Sequence, residues 1–142
     1  MGKPWIRVLA VGTVSLSIVG CGGSGDTSQV QQTVTKVLHA LGSGDGATVC
    51  SMATRAGQAA LANAGHSSCQ RVVGLVSDHL TPAQKAGLQS AKVGKVKIDG
   101  SHATVPASAI TSSKGSLKGF LQSDSAPTQL TKQSDGTWKL SG

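Results

Sequence analysis

The chain has no tyrosine and no glutamate, and its aromatic rings of the Phe, Trp and Tyr kind are limited to Trp5, Phe120 and Trp138. A core built almost without aromatic bulk has to come from Val, Leu, Ile, Ala and Met. The same scarcity argues against a nucleic-acid platform, which stacks bases on rings set among basic groups. Lys92, Lys95 and Lys97 come nearest to a basic cluster, and no ring interleaves with them. The acids are six Asp, found at expected cap or turn positions (Asp45, Asp99, Asp135), on a helix face (Asp78) or in connections. They form no carboxylate pair suited to acid–base work, and no Ser-His-Asp or Cys-His arrangement is present. No CxxC or His pair stands at ligand spacing, so no metal site is expected. The glycine-rich Gly42-Ser43-Gly44-Asp45-Gly46 follows a helical pattern rather than a strand and lacks the downstream acid of a dinucleotide loop. No cofactor is therefore expected, and an enzyme is not the expected reading.

No apolar run is long enough to span a bilayer, which takes about 20 apolar residues. What is present instead is a short export signal over residues 1–20. Lys3 and Arg7 make its positive start, Val8 to Val19 an apolar centre diluted by Gly, Thr and Ser, and Gly20 the small residue before a cut. There is no twin-arginine pair, which favours the general export route. The order Ile18-Val19-Gly20-Cys21 resembles a bacterial lipobox. That resemblance implies cleavage before Cys21, a diacylglycerol thioether on its sulfur, and a cell-membrane anchor on the extracytoplasmic face. Two acyl chains make a lasting anchor where one does not. The alternative is an ordinary signal with a stray Cys beside the cut. Removing Lys3 and Arg7 from the formal charge of +7 leaves +5 for residues 21–142, a mildly basic surface.

The cysteines are Cys21, Cys50 and Cys69. Lipidation uses one and leaves an even pair in an oxidising compartment. A Cys50–Cys69 bridge would close a loop worth about 3 kcal/mol in the chain-entropy model. Two buried free thiols are the alternative.

Residues 21–27 read as the lipidated Cys followed by a flexible tether, and residues 28–142 as one domain. Ser28 is the expected cap of a helix over 28–41, with Val30, Val34, Val37, Leu38 and Leu41 on one stripe and His39 on the opposite, solvated face. Asp45 caps a short second helix, and residues 54–64 make a third. Cys69 to Leu80 follows, its apolar face holding Cys69, Val72, Val73, Val76 and Leu80, with His79 at the edge. Thr81-Pro82 starts a helix to about Gln89. The period then falls to 2. Val96 and Ile98 alternate with lysines, Asp99-Gly100 predicts a hairpin pairing Ile98 with Ser101, and His102 and Lys97 meet on its outer face. Residues 107–116 read as a loop or ragged strand and Leu117 to Gln122 as a strand. The chain ends in a hairpin with a Ser134-Asp135-Gly136 loop, which pairs Leu130 with Leu140 and keeps Trp138 on their face. Helices first and antiparallel strands after give an α+β fold.

From Val30 to Leu140 the chain resembles the nuclear transport factor 2-like superfamily in its small actinobacterial lipoprotein form. The resemblance is carried by Leu41-Gly42-Ser43-Gly44-Asp45, by the two cysteines in successive helical segments, and by Leu80-Thr81-Pro82-Ala83-Gln84. Val96-x-Ile98-Asp99-Gly100-x-x-Ala103-Thr104-Val105 and the terminal Asp135-Gly136-Thr137-Trp138-Lys139-Leu140 complete it. It implies N-terminal helices on a curved antiparallel sheet, a cone, often with an apolar cavity. Steroid-isomerase-like members use an Asp base with a Tyr donor. This chain has no Tyr, so no catalytic residue is carried over. The expected function is non-catalytic binding of an apolar small molecule or an envelope protein, by residues the sequence does not designate. A structural or accessory surface lipoprotein is the alternative, and an isomerase- or dehydratase-like enzyme is less favoured.

Overall fold

The computed structural model describes residues 24–121 and 128–141. The export signal and Cys21 lie outside them, as do Gln122 and the connection over 123–127. Val30, Val34, Val37 and Leu38 form the buried stripe of the first helix, α1 (Ser24–Ser43), as their spacing predicts. The helix starts four residues earlier than expected, so residues 24–27 are its first turn and not tether. Asp26 accounts for the extension. Its carboxylate accepts from Lys132 Nζ at 2.9 Å and from Trp138 Nε1 at 3.2 Å, and a negative group in a first turn complements the helix dipole. Ser28 lies inside the helix and accepts from Gln32 Nε2 at 3.4 Å.

The other helices follow their caps. Asp45 Oδ1 accepts from the Thr48 amide at the start of α2 (Gly46–Ser51). Thr54 caps α3 (Arg55–Gly65), which stops where His66 turns left-handed at φ 50°. Ser68 caps α4 (Cys69–His79), and Thr81 and Gln84 form a reciprocal capping box on α5 (Pro82–Gln89). The expected face of α4 needs one correction. Cys69, Val72, Val73 and Ser77 are buried, whereas Val76 is 38% exposed. Cys69 and Val73 face α2, and the end of α3 closes over Val72 so tightly that a Cβ on Gly65 would clash with its Cγ2. Val76 is left on the outer side with Leu75.

Six strands follow among the described residues: β1 (Ala91–Val93), β2 (Lys97–Asp99), β3 (His102–Val105), β4 (Ile110–Ser112), β5 (Thr128–Lys132) and β6 (Trp138–Leu140). Two antiparallel sheets result, one in the order β2-β3-β5-β6 and one joining β1 to β4. The class is thus mixed helix plus antiparallel sheet. In the β2–β3 hairpin Ile98 pairs with Ala103, not Ser101, and the turn is Gly100-Ser101. Gly100 has φ 60°, which suits the first central position of a two-residue turn. The slip is an even number of residues, so Ala103 and Val105 still face the core. His102 and Lys97 do not meet, since their partners across the hairpin are Asp99 and Thr104.

The stretch 107–116 contains β4, which pairs Ile110 with Val93. The strand expected from Leu117 is a turn over its described residues. The amides of Phe120 and Leu121 both donate to the Leu117 carbonyl, and Gly119 takes φ 84°, outside the range of a strand. The terminal hairpin has the expected form. Leu130 pairs with Leu140, Gln133 N donates to Thr137 O, and Ser134-Asp135-Gly136 is the loop. The outer edge of β6 is covered by residues 52–54: the Leu140 amide donates to Met52 O, and the Thr54 amide to Leu140 O.

Two packed clusters result. One joins Val30, Val34 and Leu38 to Leu88, Ala103, Val105, Leu130 and Trp138. The other joins Val37, Ala40, Val49 and Val73 to Cys50 and Cys69, whose sulfurs stand 2.01 Å apart, at disulfide distance.

Candidate functional site

Leu41 and Leu140 pack against both clusters, and the seam between the clusters does not close. A cavity of about 370 Å³ lies there. α1 supplies Val34, Val37, Leu38 and Leu41, α3 supplies Gly57, Ala60 and Leu61, and the far wall is Phe120, Leu121 and Leu140 with Ala53 and Thr128. Helical spacing places the α1 residues on one wall. Gly57 lets α3 approach the sheet, because a Cβ there would sit 2.8 Å from the Leu140 carbonyl. Ala60, exposed at its outer side, stands at the mouth.

The lining decides what the cavity can do. Among the described residues, Thr128 brings one hydroxyl to the lining and no titratable side chain borders the cavity. Among the described residues, no buried side-chain nitrogen or oxygen lacks a hydrogen-bond partner, and no group of His, Cys, Asp and Glu could hold a metal ion. Such a pocket retains a guest by removing apolar surface from water, about 25 cal/mol per Å² buried. Its size falls in the ordinary range for small-molecule sites.

The charged groups serve the scaffold. Hydrogen bonds from Lys132 and then Trp138 hold the Asp26 carboxyl below the ordinary aspartate value of 3.8. The Thr48 hydroxyl and amide lower Asp45, and those of Thr137 lower Asp135. Each carboxylate is therefore ionised more readily in the folded state. That contribution to stability is present above pH 3.8 and is lost as pH falls through the lower folded values. We expect a melting temperature insensitive to these groups near neutrality and falling below about pH 4. Asp26→Asn should flatten that acid limb, and a thermal-melt series from pH 2 to 7 reads it.

Cys50 and Cys69 are brought together, tying the end of α2 to the first residue of α4. His39 is exposed, with Nε2 3.2 Å from the Ala91 carbonyl oxygen. His79 is also exposed and lines a surface groove on α4. The cavity residues were not designated from sequence. Leu61, Phe120 and Leu121 carried the usable signal: apolar residues that neither the helix stripe nor a strand pairing consumed. No helix among the described residues is long and apolar enough to cross a membrane. No family model matches the chain, and no curated protein or solved structure matches it either.

Proposed function

We propose that the protein is a lipid-anchored envelope lipoprotein of the nuclear transport factor 2-like kind, whose domain holds an apolar small molecule between α1, α3 and β6. The observation that carries this reading is the 370 Å³ cavity with one hydroxyl in its lining. A void so poor in polar groups gives water few partners and favours an apolar guest. The apolar character of the described lining, Val34, Leu38, Leu61 and Leu140 among them, supports binding of an apolar guest. The lipobox order at Ile18-Val19-Gly20-Cys21 supports the anchor.

The start of α1 at Ser24 leaves Gly22 and Gly23 between the acylated Cys21 and the helix. At about 3.5 Å per extended residue, the Asp26 end of the domain is held close to the bilayer. The lining residues Val34 to Leu41 then lie roughly 12–22 Å further along the helix axis, at 1.5 Å rise per residue. The anchor test is Cys21→Ala. It should move the protein from the membrane pellet to the soluble fraction on cell fractionation, and unchanged partitioning would remove the lipobox from the account.

The cavity is tested by the fluorescence of anilinonaphthalene sulfonate, a probe of apolar sites, titrated against the exported chain. Ala60→Phe puts a ring at the mouth from a position exposed enough to spare the fold. It should weaken the probe by about tenfold or more while the melting temperature stays within a few degrees. Equal binding by a folded variant would place the probe elsewhere and sink the cavity reading.

A further inference from the structure

Two large apolar side chains stand out as exposed among the described residues: Leu75 at 48% and Val76 at 38%. They are neighbours on α4, and both line one groove, about 610 Å³ in volume, between α3, α4 and the Gly119–Phe120 turn. Leu61 and Phe120 line this groove and the inner cavity as well. Both are half-buried, so each shows one side inward and one outward. The inner void and the outer groove are thus adjacent, with these two side chains between them.

We propose that the cavity and the groove form one continuous apolar track that takes the hydrocarbon tail of a long single-chain anionic amphiphile, such as a long-chain fatty acid. This rests on the cavity reading and extends it. The tail end lies in the cavity, where the described lining is apolar apart from the Thr128 hydroxyl, and the chain runs out between Leu61 and Phe120 over Leu75 and Val76. The polar head cannot be satisfied inside and remains in water at the groove rim, where His79 and Gln84 stand. A compact apolar molecule would leave the groove wet and its exposed pair unexplained. A two-tailed lipid needs a second channel of comparable size, and three further depressions on the described surface are lined largely by polar side chains. The chain's charge of +7, or +5 after the signal, favours an anionic head over a cationic one.

The test is calorimetric titration of the exported chain with decanoate and with oleate, each below its micelle concentration, repeated on the double variant Leu75→Gln/Val76→Asn. Both positions are exposed, so the variant should fold as wild type. Each methylene that becomes buried is worth about a fourfold gain in affinity. Oleate should therefore bind at least about tenfold tighter than decanoate to wild type, and the double variant should lose that gain while keeping decanoate affinity. Equal affinity for the two acids in wild type, or a gain that survives in the double variant, overturns the track and leaves the inner cavity standing. Failure of a folded wild-type chain to bind either acid or the fluorescent probe removes the cavity reading, and the track with it.

Discussion

Trp138→Ala is expected to destabilise the domain by about 3–5 kcal/mol, the range for truncating a large buried ring. Trp138 is 3% exposed and sits in the cluster that joins α1 to the four-stranded sheet. Its loss would remove more than volume. The indole nitrogen donates to Asp26, and Lys132, opposite Trp138 across the terminal hairpin, lies over the ring at 5.9 Å from its centroid. The alanine variant leaves Asp26 with Lys132 alone and loosens the first turn of α1, so the N-terminal end of that helix should fray before the rest. Trp138→Phe separates the two effects. It keeps most of the ring burial, loses the indole hydrogen bond, and should cost roughly 1.5–3 kcal/mol, the range for one lost bond to a charged partner. Urea denaturation followed by circular dichroism reads both variants. Trp138 is the one tryptophan after residue 20, so in a chain made without residues 1–20 the intrinsic fluorescence reports this site alone. It should emit from an apolar setting and shift to longer wavelength in the same transition.

The second large effect is expected from removing the Cys50–Cys69 bridge. The two residues are 19 apart in sequence, and closing a loop of that size is worth about 3 kcal/mol through the unfolded chain. Both sulfurs are also buried in the second cluster, Cys50 at 5% exposure and Cys69 at 9%. Cys50→Ala/Cys69→Ala should lower the melting temperature by roughly 10–20 °C, at several degrees per kcal/mol for a domain of this size. The loss should not be confined to α2 and α4. Residues 52–54, with one residue between them and Cys50, cover the edge of β6, and Ala53 and Leu140 line the cavity. Loosening α2 therefore loosens one cavity wall, and the double variant should bind the apolar probe more weakly than wild type at the same temperature. Two free thiols by mass in the exported wild-type protein would contradict this account at once.

Much of the architecture was legible because local chemistry and periodicity agree. Asp45 and Thr81 each cap a helix through a side-chain oxygen, a signal that depends on a few neighbouring residues. The terminal hairpin was fixed by parity: a three-residue loop alone puts Leu130, Trp138 and Leu140 on one face. Parity also explains the error in the other hairpin. A register two residues away places Ile98, Ala103 and Val105 on the same face, so the apolar pattern cannot separate the two, and the choice fell to Gly100 and its positive φ. The start of α1 was missed because its support is distant in sequence. Asp26 is held by Lys132 and Trp138, more than a hundred residues away. The segment after Leu117 was misread for a related reason. Its leucines have a strand-like spacing, but Gly119 turns the chain, and Ser116 N donates to Ala83 O so that the turn packs on α5. The cavity was the least legible feature. It arises where two clusters fail to meet, a property of packing that no single stretch encodes.

The proposed apolar guest occupies the space between α1, α3 and β6. Native mass spectrometry of the lipid-free mature chain, residues 22–142, exported and purified without detergent, tests it most directly. Wild type should carry a reproducible added mass, released by organic solvent and strongly reduced in Ala60→Phe. A clean unliganded mass for wild type, from a preparation that is folded and disulfide-bonded, would contradict it.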